Sequence, residues 1–264
     1  MLAAERRTRI VTAIRRQGAV RVTELAELLD VSEMTIRRDL DELDHGGVVV
    51  KVHGGATLPA AASADEPGFD AKAQRQRAEK AAIAAVAVRL LEPGATVGLS
   101  AGTTTFALAQ AMADVHDLTV VTNSMQIAGV LHAQPEAGHT VMLTGGERTP
   151  SDALVGPLTV TALASLHLDV VFLGVHGVDV RAGFTTPNLL EAETDRALTA
   201  AGRRVVVLAD HTKWATVGLS TIAPLDQADV LITDDGLDPD AARTLADHVG
   251  ELVLAPSPET DGVR

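Results

Sequence analysis

Apolar positions near the start of the chain recur at helical spacing in three short blocks. In the first, roughly Ala4–Gln17, Ile10, Val11 and Ile14 share a stripe. Arg6, Arg7, Arg9, Arg15 and Arg16 fill the rest, and Gly18 ends it. Thr23 can cap a second helix, Glu24–Leu29, whose Leu25, Leu28 and Leu29 fall at i, i+3 and i+4. Ser32 can cap a third, Glu33 to about Asp44, closed by Gly46 and Gly47. Val48, Val49, Val50, Lys51 and Val52 then read as a strand, with His53, Gly54 and Gly55 as its turn. On the third helix Ile36, Leu40 and Leu43 form one stripe. Met34, Arg38 and Asp41 face away, flanked by Thr35, Arg37 and Glu42.

This order of elements is that of a winged helix-turn-helix. The apolar stripe of its last helix faces the head's own core and the polar face suits a major groove, which admits one helix. Thr35 can bond a base or phosphate, Arg38 can reach a guanine edge, and Lys51 and His53 would sit on a wing near the backbone or minor groove. A small helical domain with a solvated charged face fits the periodicity about as well.

The pattern then changes. Thr57–Phe69, rich in Ala, Pro, Ser and acid, reads as a linker, and a helix is predicted from about Lys72 to Leu91, stopped by Pro93 and Gly94. Beyond it, strand-like runs alternate with helical patterns: Thr96–Leu99, Leu118–Thr122, Thr140–Leu143, Val170–Leu173, Val205–Ala209, Val230–Thr233 and Glu251–Leu254. Such alternation predicts an α/β domain with a mainly parallel sheet and helices on its faces. The expected boundaries are a DNA-binding head over 1–57, a linker over 58–72, the α/β domain over 73–255 and a frayed tail over 256–264.

Composition narrows the function classes. The 264 residues suffice for about two domains. There is no Cys, which removes disulfides, thiolate metal sites and Cys nucleophiles together. The nine His show no metal-ligand spacing, so no metal or cofactor is expected. The net charge of −13 argues against nucleic acid until it is divided. Residues 1–55 hold 9 basic and 9 acidic side chains, so the whole excess lies beyond them. A DNA-reading head needs only a local basic face, because screening confines the attraction to about 8 Å. The charged start of the chain and the absence of a long apolar run predict a cytoplasmic protein outside the membrane.

Candidate chemistry gathers at the predicted strand ends. The first of these strands runs into Ser100, Ala101, Gly102, Thr103, Thr104 and Thr105 and then a helix, Phe106–Met112. A strand, a small-residue loop and a helix N-terminus together suit an anion, with Gly102 allowing close approach. No Gly-Lys-Ser/Thr follows, so it is not a P-loop. Asn123, the pair Gly145 and Gly146, the run Gly174–Asp179 with His176, and the run Asp210–Trp214 with Lys213 end later strands and can border the same crevice. Singly, each has a plainer account as a turn, a cap or a surface side chain.

The stretch VTELAELLDVSEMTIRRDLDELDHGGVVVKVHGGA closely resembles the DeoR family of bacterial regulators. That resemblance implies a recognition surface of Ser32, Met34, Thr35, Arg37 and Arg38. Lys51 stands where the family often has Arg, which keeps the charge but loses the planar fork. The segments SAGTTT, VVTNS, LTGG, FLGVHGVD and LADHTKW, in that order, resemble the family's effector domain, similar in fold to ribose-5-phosphate isomerase and the acyl-CoA transferases. This implies a phosphorylated sugar as effector, with Ser100, Gly102, Thr103, Thr104 and Thr105 holding phosphate. Asn123, Gly145, Gly146, Lys213, His176 and Asp179 would be further contacts. The expected partners are double-stranded operator DNA, the sugar phosphate and a second copy of the chain. The rival class is a sugar-phosphate isomerase, for which Asp179, Asp210, Glu191, Glu193 and Lys213 could supply acid–base groups. The isomerase-like relatives carry an acidic cluster where this chain has Val175, His176 and Gly177, so a binding pocket without catalysis is the simpler expectation.

Overall fold

The computed structural model describes residues 3–17, 19–45, 49–52, 54–57 and 68–256. Gly18, Gly46, Gly47, Val48, His53, linker residues 58–67 and tail residues 257–264 lie outside them. The chain forms two compact units, Met1–Ala61 and Ala62–Arg264.

The first unit runs α1 (Ala3–Gln17), β1 (Ala19–Arg21), α2 (Val22–Leu29), α3 (Glu33–His45), β2 (Val50–Val52) and β3 (Gly55–Thr57). Its strands form an antiparallel sheet in the order β1-β3-β2. One core joins the helix stripes to the sheet through Ile10, Ile14, Leu25, Ile36, Leu40 and Val49, among others. Two local expectations change. Helix α2 starts at Val22, and its cap comes from Glu24, whose carboxylate accepts the Arg21 N–H at 3.2 Å, rather than from Thr23. Its buried stripe is therefore Val22, Leu25 and Leu29, which leaves Leu28 exposed.

The second unit opens with α4 (Phe69–Ala73) and α5 (Arg77–Ala87), followed by β4 (Thr96–Leu99), α6 (Thr103–Ala111), β5 (Thr119–Thr122), α7 (Met125–His132) and β6 (Thr140–Leu143). Next come β7 (Glu147–Arg148), β8 (Leu154–Val155), α8 (Pro157–Leu163), β9 (Val170–Gly174), β10 (Gly177–Asp179) and β11 (Gly183–Thr186). It closes with α9 (Leu189–Ala201), β12 (Val205–Leu208), β13 (Ser220–Ala223), β14 (Val230–Asp234), α10 (Pro239–Ala246) and β15 (Leu252–Ala255). The helix expected over Lys72–Leu91 is broken: Gln76 adopts the left-handed region at φ 49°, and a separate short helix precedes it. Phe69, placed by its sequence in the linker, is buried and starts that helix.

The seven predicted strands form one seven-stranded, wholly parallel sheet in the order β15-β14-β12-β9-β4-β5-β6. Alternate residues face opposite cores. Val97, Leu99, Val120, Phe172, Val206 and Ile232 meet α5, α6 and α7. Val171, Leu173, Val205, Val207 and Leu231 turn to the other side, where α8, α9 and α10 lie. Gly98 has no side chain because a Cβ there would come within 3.0 Å of Leu168, Val171 and Leu198. Burial on both faces explains why β4, β5, β9, β12 and β14 read as continuous apolar runs, whereas the edge strand β6 is apolar but largely exposed. Two small antiparallel additions, β7-β8 and β10-β11-β13, were not expected from the sequence; their strands are too short to show a period of two.

Candidate functional site

In the first unit, α3 presents the surface that the sequence singles out. Ile36 and Leu40 are fully buried, whereas Met34 is 76% exposed and Arg37 and Arg38 lie in solvent. Ser32 and Thr35 spend their hydroxyls on the helix start. The two oxygens are 2.9 Å apart, and Ser32 Oγ accepts the Thr35 N–H at 3.2 Å. Arg37 pairs with Glu33 one turn back, at 3.2 Å. Arg38 makes no ion pair among the described residues. Lys51 Nζ is paired with Asp41 on α3, and its N–H donates to Asp44 at 3.1 Å. His53 lies outside the described residues.

Two arginines of α1 are paired with carboxylates of α3. Asp39, 4% exposed on α3, accepts Arg6 Nε at 2.5 Å and Nη2 at 3.2 Å. Arg7 reaches the same carboxylate at 3.4 Å and Glu42 at 2.5 Å. The hydrogen bond with Asp39 raises the Arg6 pKa above its ordinary value. These side chains bind α1 to α3, so the head's disposable positive charge is smaller than its arginine count.

In the second unit the strand order reverses between β4 and β9, the place in an open parallel sheet where a ligand crevice is expected beyond the carboxyl ends of the strands. Ser100, fully buried, follows β4: its N–H donates to Phe172 O at 3.1 Å and its Oγ accepts the Gly174 N–H at 2.9 Å. Thr105 Oγ1 donates to Ser100 O at 2.7 Å and also lies 3.0 Å from Gly102 O. Asn123, 3% exposed, accepts the Ala101 N–H at 2.8 Å and donates to Leu154 O at 3.1 Å. The loop is thus held from beneath by three buried polar side chains, while Ala101, Gly102 and Thr103 stay partly exposed. Gly102 is the N-cap of α6 and offers no side-chain cap, so the first-turn N–H groups are open to an anion.

The next strand end carries charge. Asp210, 2% exposed, follows β12. Its Oδ1 accepts the Thr212 N–H at 3.1 Å, while Oδ2 is buried without a hydrogen-bond partner. Lys213 Nζ stands 3.9 Å from that oxygen, an ion pair beyond hydrogen-bond reach. Beside it, fully buried Asp234 at the end of β14 accepts His211 Nδ1 at 2.6 Å and the His211 N–H at 2.8 Å.

The other expected residues have different surroundings. Gly145 and Gly146 follow the edge strand β6 and have φ of 75° and 125°. Thr159 donates to Gly145 O at 2.6 Å, and a Cβ on Gly146 would lie 2.3 Å from Thr159 Oγ1. Both glycines serve a tight turn against α8. Asp179 accepts the N–H groups of Arg181 and Ala182 at 2.9 and 2.8 Å, so its carboxylate closes the turn after β10. The His176 N–H donates to Thr185 O at 3.0 Å. The structure gathers Ser100, Gly102, Thr103, Thr104, Thr105 and Asn123 around the reversal of strand order, and leaves Gly145, Gly146 and Asp179 in turns.

Comparison with known proteins places both units. The DeoR C terminal sensor domain family matches residues 75–235, and the DeoR-like helix-turn-helix domain family matches residues 6–61. The chain belongs to the DeoR family of transcriptional regulators. An uncharacterized HTH-type transcriptional regulator, YgbI, of Escherichia coli strain K12 is 38% identical over 256 residues, covering 97% of this chain and 99% of that one. The glycerol-3-phosphate regulon repressor of the same strain is 31% identical over 255 residues, covering 96% and 100%. Among solved structures, ribose 5 phosphate isomerase A from Neisseria gonorrhoeae aligns with a TM-score of 0.37 at 15% identity, over 52% of this chain and 53% of that one. No helix among the described residues is long and apolar enough to cross a membrane.

Within the DeoR sensor unit, two polar residues escaped the sequence reading. Asp234 ends a strand that is buried throughout. Lys80 sits on the buried stripe of α5 with Ile83, Ala84 and Ala87. Its signal was present, because a lone Lys at i, i+3, i+4 and i+7 spacing with apolar residues is out of place on a core-facing helix.

Proposed function

We propose that the protein is a repressor of a carbohydrate-utilisation operon whose operator affinity is set by a phosphorylated sugar bound at the carboxyl ends of the sensor sheet. The carrying observation is the loop from Ser100 to Thr104, held from below by buried hydrogen bonds with the uncapped start of α6 above it. Backbone N–H groups of Gly102, Thr103 and Thr104 take the phosphate, and Thr103 adds a hydroxyl. Asp210 and Lys213 at the neighbouring end of β12 meet sugar hydroxyls, Asp210 through its unpartnered oxygen. Ser100, Thr105 and Asn123 act by shaping the loop. The name of the related glycerol-3-phosphate regulon repressor agrees with a phosphorylated effector.

In the head, Met34, Arg37 and Arg38 face the major groove, and Ser32 and Thr35 fix the start of the helix that carries them. Lys51 reaches phosphate after releasing Asp41. Two or more copies assemble to present two heads to two half-sites. Exposed Leu158, Leu189 and Leu219 give the sensor unit apolar surface that assembly can cover.

Two observations favour a sensor over an isomerase: Asp179 closes a turn, and Glu191 accepts the hydroxyls of Thr149 and Ser151. A thermal-shift screen of phosphorylated sugars tests the reading. At least one is expected to raise the melting temperature, the unphosphorylated sugar should not, and Gly102→Val should abolish the shift. A flat response across the screen, or turnover of pentose phosphates at ordinary enzyme rates, contradicts it. Sedimentation of the full chain tests assembly, with a monomer at micromolar concentration as the contrary result.

A further inference from the structure

Asp234, fully buried at the end of β14, ties two loops together. Its Oδ1 accepts the His211 N–H at 2.8 Å, and its Oδ2 accepts the Gly236 N–H at 3.1 Å and His211 Nδ1 at 2.6 Å. The imidazole sits so close to Gly236 that a Cβ there would lie 2.8 Å from Nδ1. A carboxylate that already takes two backbone N–H groups offers the ring an acceptor, so Nδ1 carries the ring hydrogen and Nε2 keeps a lone pair. Nε2 makes no hydrogen bond among the described residues. His211 borders a cavity of about 10 Å³ together with Asp210, Trp214, Thr233 and Leu237, room for one hydroxyl-sized group. Asp210 Oδ1 is taken by the N–H and the hydroxyl of Thr212, whereas Oδ2 is buried without a hydrogen-bond partner and has Lys213 Nζ at 3.9 Å. Two acceptors from adjacent residues thus border one cavity, with a cation beside one of them. Strand β12 is separated from β4 only by β9, so this corner lies about 10 Å across the sheet from the loop after β4.

We propose that His211, fixed as an acceptor by Asp234, is a specificity-determining residue that with Asp210 receives two neighbouring hydroxyls of the effector. The inference rests on the sensor function proposed above and adds the class of ligand, a phosphate ester whose far end carries a vicinal diol. One hydroxyl donates to Asp210 Oδ2 and accepts from Lys213. The next donates to His211 Nε2. A carboxylate in that place has no hydrogen to give and meets the charge of Asp210, and a methylene leaves both acceptors unpaired, which a site of buried polar groups rejects strongly.

The test uses the full chain with inorganic phosphate, ribose 5-phosphate, fructose 6-phosphate and glucitol 6-phosphate as probes. Trp214, the only Trp in the sequence, lines the cavity and reports on it by fluorescence. At least one of the three polyhydroxy phosphates is expected to bind more tightly than inorganic phosphate and to change the Trp214 emission, which inorganic phosphate leaves alone. His211→Asn keeps an amide near the place of Nδ1 for Asp234 but has nothing at Nε2. It should cut that preference roughly five- to tenfold with phosphate affinity unchanged, as the loss of one hydrogen bond does. His211→Gln, whose amide reaches the place of Nε2, should recover part of it. In the parent chain, nitrogen NMR of the ring should show the Nδ1–H form, a measurement that stands even if the variants fail to fold. An Nε2–H ring, or a preference that His211→Asn leaves intact, overturns the proposal while the sensor reading stands. Failure of all four probes to bind overturns the sensor reading and the proposal with it.

Discussion

The two units handle polar side chains in opposite ways. In the head, Met34, Arg37 and Arg38, proposed to face the major groove, are exposed on one face of α3, while buried Asp39 ties α1 to α3. In the sensor, the polar groups around the crevice are themselves buried: Ser100, Thr105, Asn123, Asp210 and Asp234 are each 3% exposed or less. A surface contact competes with water and contributes modestly. A buried one that loses its partner costs the full desolvation of the group left behind. Substitutions at the sensor crevice should therefore act on stability and binding together, and those on the head's outer face on binding alone.

The largest expected effect is in the sensor. Asn123→Leu strands the Ala101 N–H and the Leu154 carbonyl, so the sensor's urea transition should lose about 4 kcal/mol. A loss as small as that of a surface change would break the contrast. Next is a pH effect at Lys80, whose pKa falls from 10.5 to about 8 on folding. Below pH 8 the ammonium is charged in both states and its burial opposes folding. Between pH 8 and 10.5 the folded state gives up the proton that the unfolded state keeps, so stability rises with pH by up to roughly 3 kcal/mol. Denaturation curves of the parent and Lys80→Met across that window should converge or cross accordingly, and parallel curves would remove the buried charge from the account.

Head substitutions follow. Arg38→Ala should weaken operator binding by about 2 kcal/mol, weaken non-specific DNA binding less, and leave the melting temperature in place. Equal losses on both DNAs would make Arg38 a phosphate contact. The smallest effect is a gain. Asp41→Asn releases Lys51, so DNA affinity should rise about threefold at low salt, with the gain fading as salt increases. No change in a salt series would show that Lys51 is not used.

The same contrast explains what the sequence made legible. Amphipathic stripes announced the head, and the exposed face of α3 followed from Ile36 and Leu40 alone. The parallel sheet was legible because each strand is apolar on both faces. Periodicity says nothing of which loop residues look outward, and there the reading thinned. Asn123 and Thr105 prove to be supports beneath the loop, and Asp179 caps a turn. Arg6 and Arg7 of the first helix belong to Asp39 and Glu42, a long-range pairing that no local pattern reveals. Gln76 broke an otherwise continuous helical pattern through a left-handed turn for which no Gly or Asn gave notice.

The central claim is that occupancy of the sensor crevice and operator binding are one equilibrium. Its most direct test measures the affinity of the sugar phosphate with the largest thermal shift, in the absence and presence of saturating operator duplex, and the affinity for operator with and without saturating sugar phosphate. Linkage requires both ratios to be the same factor, typically between about 5 and 150. Equal ratios in that range are the predicted result. A sugar phosphate that binds with an affinity indifferent to operator would contradict the account.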